Sequence, residues 1–229
     1  MIEVNGLGIT YSAADPPVQA VEQLDFHLER GRSLALIGPS GCGKSTILSA
    51  MAGLLSPTVG EIKIGGSTVF RPRRDVSLIL QNAGLLPWKT VWQNANLSLL
   101  LAGQYPRRNA EGVLDDLGLE SVKSRFPAEL SAGMRRRVGV ARALSTSPAV
   151  MLMDEPLASL DTLTRERIQN LFLSLWREHG FSLVFVTHDI EEAAFLGQEI
   201  IVLTERPARM KGRVLNELMG EANYRQEEG

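Results

Sequence analysis

The sequence predicts an α/β fold in which a glycine loop links a buried strand to the first helix and a helical stretch interrupts a β-rich chain. Three observations predict it. The apolar run Leu34-Ala35-Leu36-Ile37 leads into Gly38-Pro39-Ser40-Gly41-Cys42-Gly43-Lys44-Ser45-Thr46, which fits G-x-x-x-x-G-K-[ST] without a mismatch, and the helix-forming residues Ile47–Ala52 follow. A second apolar run, Ala149–Met153, ends in the adjacent carboxylates Asp154 and Glu155. Between these two, from Val91 to about Arg125, apolar residues recur at helical spacing: Leu97, Leu100 and Leu101, then Val113, Leu114 and Leu117.

The glycine loop has a direct chemical reading. Gly38, Gly41 and Gly43 permit backbone torsions that turn successive N–H groups toward one anion, and the helix opening at Lys44 adds its positive end. Lys44 supplies a point charge for the outer phosphates, and the Ser45 hydroxyl is placed to ligate Mg²⁺. The motif in this context implies a nucleotide site.

Composition bounds the remaining choices. The 229 residues suffice for one large α/β domain with an inserted subdomain, 44% hydrophobic and 22% charged as in ordinary globular proteins. A net charge of −2 argues against a nucleic-acid partner, which usually requires a basic surface. The single cysteine, Cys42, excludes an internal disulfide and reads as a small loop residue rather than a redox centre. No apolar run reaches the length of a membrane span, and Met1–Gly6 has no secretion-signal pattern, so a cytoplasmic location is expected.

Taken in order, the first seventy residues read as short β segments at Ile2–Val4, Leu24–Leu28, Leu34–Ile37, Glu61–Ile64 and Thr68–Phe70, separated by Gly and Pro punctuation. Tyr11 falls in the first loop, where its ring either stacks on a purine or packs on the β layer. Val76–Leu80 is a further strand, and Gln81 at its carboxyl end can reach a ligand in the crevice of an α/β sheet. The next loop, Asn82–Lys89, is unusually apolar. Trp88 either docks on a partner or tucks into the core. Gly103 and Gly118 are expected helix stops. Ser131 reads as the N-cap of a helix carrying Arg135, Arg136, Arg137 and Arg142, of which at least two are expected on a solvated face. Asp154 and Glu155 end a buried strand, and burying two charges without partners is costly, so a divalent cation near Asp154 and a water near Glu155 are expected. A turn over Leu157–Asp161 precedes a helix from Leu163 to about Glu178. Ser182–Thr187 is a buried strand ending at His188, Glu199–Leu203 is a last strand, and a frayed polar tail runs over Met219–Gly229.

The order of these motifs resembles that of the ATP-binding-cassette (ABC) ATPases, from Tyr11 to about Arg209. The resemblance implies a P-loop NTPase fold with a RecA-like core and an antiparallel β subdomain (about 1–81 and 149–215), an inserted helical signature subdomain (about 82–148) and a tail (216–229). It also implies the cofactors ATP and Mg²⁺ and assigns roles. Tyr11 matches the adenine-stacking aromatic, Gly38 to Thr46 the phosphate loop, and Gln81 the glutamine that senses Mg²⁺. Asp154 matches the metal carboxylate, Glu155 the general base and His188 the γ-phosphate contact. Ser159-Leu160-Asp161 matches the segment that crosses a dimer.

Leu130 to Met134 matches the family signature, and the resemblance implies that Ser131, Ala132, Gly133 and Met134 act in trans on a second, head-to-tail copy. The family usually has Gly where Ala132 stands and often Gln at Met134 and Arg136. A helical backbone there would make Ala132 harmless. The stretches Gln81–Trp88, Thr187–Ala193 and Thr204–Arg209 are similar to importers of nitrate, taurine and aliphatic sulfonates. That likeness implies a chain peripheral on the inner face of the membrane, an integral membrane permease as partner and an extracytoplasmic solute-binding protein indirectly. The alternatives are an ATPase of this fold without a transported substrate and a nucleotide-gated dimerisation module.

Overall fold

The computed structural model describes residues 1–12, 15–107, 109–158 and 161–220. Ser159, Leu160 and most of the expected tail lie outside the described residues. The chain runs β1 (Ile2–Tyr11), β2 (Val18–Leu28), β3 (Ser33–Ile37), α1 (Lys44–Met51), β4 (Val59–Ile64), β5 (Ser67–Thr68) and β6 (Val76–Ile79). The helical stretch is α2 (Val91–Ala95), α3 (Leu97–Leu101), α4 (Glu111–Asp116) and α5 (Ala132–Leu144), with 3₁₀ turns at Glu120–Val122 and Pro127–Glu129. It closes with β7 (Val150–Asp154), α6 (Thr162–His179), β8 (Ser182–Thr187), α7 (Ile190–Leu196), β9 (Glu199–Leu203) and β10 (Met210–Leu215).

Two sheets organise these elements. An antiparallel sheet has the order β2-β1-β4-β5, and a six-stranded sheet has the order β10-β9-β3-β8-β7-β6, parallel except at β10. The central strands of the large sheet are mostly apolar, because both faces are covered. Strand alternation divides their side chains between two cores. Met151, Met153, Leu183 and Phe185 face the core built with α5, α6 and α7. Val150, Leu152, Val184 and Val186 face a second core shared with α1 and the antiparallel sheet. The carboxyl ends of β3, β6, β7 and β8 thereby converge between the layers, where ligands bind in open α/β sheets.

Several local expectations change. β1 and β2 extend well beyond Ile2–Val4 and Leu24–Leu28, and β1 ends only at Tyr11, which is therefore a strand residue rather than a loop residue. β5 stops at Thr68, leaving Phe70 81% exposed. β6 ends at Ile79, two residues before Gln81. β10 has no counterpart among the expected strands; it is a mostly exposed edge strand of MKGRVL. The expected helix through Leu97 breaks after Ala95, and its stripe is inverted: Leu100 and Leu101 are exposed whereas Leu99 is fully buried. Leu114 and Leu117 are buried as expected, and Gly103 and Gly118 follow the ends of α3 and α4.

Candidate nucleotide site

The glycine loop joins β3 to α1, so the sheet aims it and the helix opens directly behind it. Gly43 forms the N-cap of α1 at φ +128°, and a Cβ there would lie 2.6 Å from the Ala20 carbonyl oxygen, so only glycine fits. Gly38 has an ordinary φ; its smallness instead admits Leu203, whose Cβ would stand 3.1 Å from a Gly38 Cβ. Cys42 is buried within the loop. The Lys44 ammonium is folded back on the loop, donating to the Gly38 and Pro39 carbonyls at 2.7 and 2.9 Å. Ser40 is exposed beside it.

Ser45 Oγ donates to Asp154 Oδ1 at 3.0 Å, which joins the start of α1 to the end of β7. Burial pushes the Asp154 carboxyl above the usual aspartate range, opposed by that hydrogen bond. Ser45 and Asp154 thus present hard oxygen donors side by side, a set that suits Mg²⁺ together with phosphate oxygens and water. Glu155 is not a strand residue. Its N–H still donates to the Val186 carbonyl at 3.0 Å, but its φ of +45° turns the chain out of β7. Gln81 Nε2 donates to Glu155 Oε2 at 3.1 Å, and His188 Nδ1 lies 3.3 Å from Oε1. Gln81 and His188, from beyond the ends of β6 and β8, therefore both meet the Glu155 carboxylate. All three line a cavity of about 230 Å³ together with Arg165, Asp189 and Glu192.

Tyr11 ends β1 on the rim of this crevice, 41% exposed, its hydroxyl 3.0 Å from Thr46 Oγ1. The ring therefore does not pack inside the β layer. Ser131 caps α5 as expected, accepting from the Met134 N–H at 3.2 Å. Ala132 is the first helical residue of α5 and is exposed; Gly133 is buried, its Cβ position 3.0 Å from Thr164. A methyl group fits the backbone at Ala132. Asp161 caps α6 through the Thr164 N–H, and those bonds hold its carboxyl below the usual range.

The arginine run departs from the expected solvated face. Arg135 is exposed, but Arg136 is buried, donating to the Leu80 and Glu155 carbonyls. Arg142 donates to the Ala83 and Gly84 carbonyls at 2.6 and 2.8 Å. Both guanidinium groups thus brace the backbone on either side of Gln81. Asn94 is fully buried and pins the same loop, accepting from the Leu86 N–H and facing the Leu86, Lys89 and Thr90 carbonyls. Neither Asn94 nor Glu192 stood out in the sequence. The Thr90–Gln93 capping box that positions Asn94 carries a readable T-x-x-Q pattern. Trp88 does not tuck into the core: it is 70% exposed at the tip of the braced loop.

Residues 21–158 match the ABC transporter family. A taurine import ATP-binding protein, TauB, from Rhizobium johnstonii is 43% identical over 218 residues, covering 93% of this chain and 83% of the relative. The TauB protein of Escherichia coli is 41% identical, covering 85% of this chain and 78% of its own. Among solved structures, the dimeric post-hydrolysis state of the ATP-binding cassette MJ0796 bound to ADP and Pi superposes with a TM-score of 0.83. It is 29% identical, with 95% of this chain and 99% of that one covered. The chain belongs to the ABC transporter family, as an ATP-hydrolysing cassette.

Proposed function

We propose that the chain powers uptake of a small solute of the taurine or sulfonate class through an integral membrane permease. On this reading it is peripheral on the inner face of the membrane and paired head to tail with a second copy, and a solute-binding protein delivers cargo from the far side. The observation that carries the proposal is the convergence of Gln81 and His188 on Glu155, beside the Ser45–Asp154 contact and the Lys44 loop. The sulfonate class rests on the names of the TauB relatives. The core at about 1–81 and 149–215 holds the nucleotide, and the helical part at about 82–148 carries the signature.

The roles follow from position. Tyr11 stacks on adenine. The loop from Gly38 to Thr46, with Pro39, Ser40 and Cys42 shaping it, cradles the phosphates, and Lys44 neutralises their outer oxygens. Ser45, Asp154 and Gln81 would hold Mg²⁺, which would supply positive charge to offset that of the phosphates. Glu155 takes a proton from the water that attacks the γ-phosphorus, and His188 holds the γ-phosphate as the bond to the β-phosphate oxygen breaks. Ser131 and the Gly133 N–H, with Ala132 and Met134 at the same helix start, complete the γ-phosphate site of the second copy. Asp161 lies at the crossing between copies.

Coupling runs through the loop after Gln81. Arg136, Arg142 and Asn94 bind that loop to α2 and α5, so movement of the helical part carries Trp88 with it. An exposed tryptophan on a braced loop suits a protein partner. Turnover and uptake test the proposal together. The Glu155→Gln variant is expected to bind ATP normally, to lose about 10²–10⁴-fold in turnover and to abolish taurine uptake by the assembled transporter. Undiminished turnover in the variant would remove Glu155 from the chemistry. Normal turnover by the wild-type chain without copurifying permease or solute uptake would favour an ATPase of this fold without a transported substrate.

A further inference from the structure

A phosphate cradle is made of N–H groups that face inward, so the carbonyl groups of the same peptides must face elsewhere and find partners. Lys44 takes up the Gly38 and Pro39 carbonyls from within the loop. The Gly41 carbonyl finds its partner 165 residues away: Arg206 Nε and Nη2 both donate to it, at 3.0 and 2.7 Å. Gly41 itself has φ +72°, and the N–H of the peptide that carries its carbonyl, that of Cys42, donates back to the Pro39 carbonyl at 3.3 Å.

Arg206 lies in the turn between β9 and β10, and this turn is fixed independently of the loop. Thr204 Oγ1 donates to the Pro207 carbonyl and accepts from the Arg209 N–H. Ala208 N–H donates to the Ala20 carbonyl, Glu22 N–H donates to the Ala208 carbonyl, and Arg209 pairs with Glu22 at 2.6 Å. The turn therefore spans from the large sheet to the antiparallel sheet, and Arg206 is the side chain it extends onto the phosphate loop.

We propose that Arg206 is a positioning residue of the nucleotide site: its guanidinium holds the Gly41 carbonyl away from the cradle so that the neighbouring N–H groups face the phosphates. The inference rests on the reading of this loop as the ATP site. Nothing in the G-x-x-x-x-G-K-[ST] pattern signals it, because the residue comes from the far end of the chain. A device that presets the cradle strengthens binding of substrate and transition state alike, so it lowers KM without setting kcat.

Equilibrium binding of a fluorescent ATP analogue with Mg²⁺, and steady-state ATP hydrolysis, test this on the full chain. Arg206→Ala is expected to raise Kd and KM about tenfold while kcat at saturation stays within about twofold of wild type. Arg206→Lys, which keeps the charge and a donor, is expected to recover much of the affinity. Arg209→Ala disturbs the same turn without touching the phosphate loop and is expected to bind as wild type does. Wild-type affinity in a folded Arg206→Ala protein would overturn the proposal and leave the nucleotide site intact. An equal loss in Arg209→Ala would overturn it in favour of a general role for the turn. Failure of the wild-type chain to bind the analogue would instead refute the nucleotide reading itself.

Discussion

Glu192 makes the stability of this protein depend on pH in a direction opposite to that of most carboxylates. It is 3% exposed; Thr187 Oγ1 donates to its Oε2 at 2.6 Å, and its Oε1 accepts no hydrogen bond among the described residues. Burial pushes the carboxyl from 4.5 up to about 7. The Thr187 hydrogen bond opposes that rise, Asp189 adds to it, and Arg165 and Arg136 oppose it. Between about 4.5 and about 7 the folded state therefore holds a proton that the unfolded chain has lost, so stability falls as pH rises through that window and stays lowered above it. At about 1.4 kcal/mol per pH unit the interval corresponds to about 3 kcal/mol. Glu192→Gln keeps an acceptor for Thr187 and carries no charge. Urea unfolding of both proteins from about pH 4 to about pH 8 is expected to show the variant gaining progressively, by up to about 3 kcal/mol at the alkaline end. A stability difference that stays flat across that range would refute the reasoning.

The braced loop and its exposed tip make two contrasting predictions. Asn94→Ala leaves the Leu86 N–H and up to three carbonyls without their partner, a loss of about 2–3 kcal/mol in urea unfolding, with faster hydrogen exchange at residues 84–89. Wild-type exchange there would show that Asn94 does not hold the loop. Trp88→Ala is expected to change stability by less than about 0.5 kcal/mol, because the ring is 70% exposed, yet to abolish copurification with the permease. Retained copurification would remove Trp88 from the docking surface.

How much of this was legible depended on how local the signal was. The phosphate loop, Asp154, Glu155 and the Ser131 cap are each written in a few consecutive residues, and each sits at the predicted strand end or helix start. What was hidden depends on distant backbone. Arg136 and Arg142 read as a solvated run because nothing in α5 reveals that the Leu80, Ala83 and Gly84 carbonyls lie opposite. The Leu97–Leu101 stripe misled because α2 ends at Ala95 and the chain re-enters helix with Leu99 inward. Only the second half of β2 shows in the sequence, because the strand's inward–outward alternation is broken before Leu24, where Gln23 lies at φ +47°. β10 escaped notice because an edge strand with Lys211, Gly212 and Arg213 has no apolar alternation.

On the proposed function, ATP joins two copies, each phosphate loop facing the other's Ser131–Met134. The most direct test is the mass in solution of Glu155→Gln with and without Mg-ATP. A shift from the 25.1 kDa monomer to a dimer is expected only when Mg-ATP is present. A variant that binds ATP yet remains a monomer would contradict it.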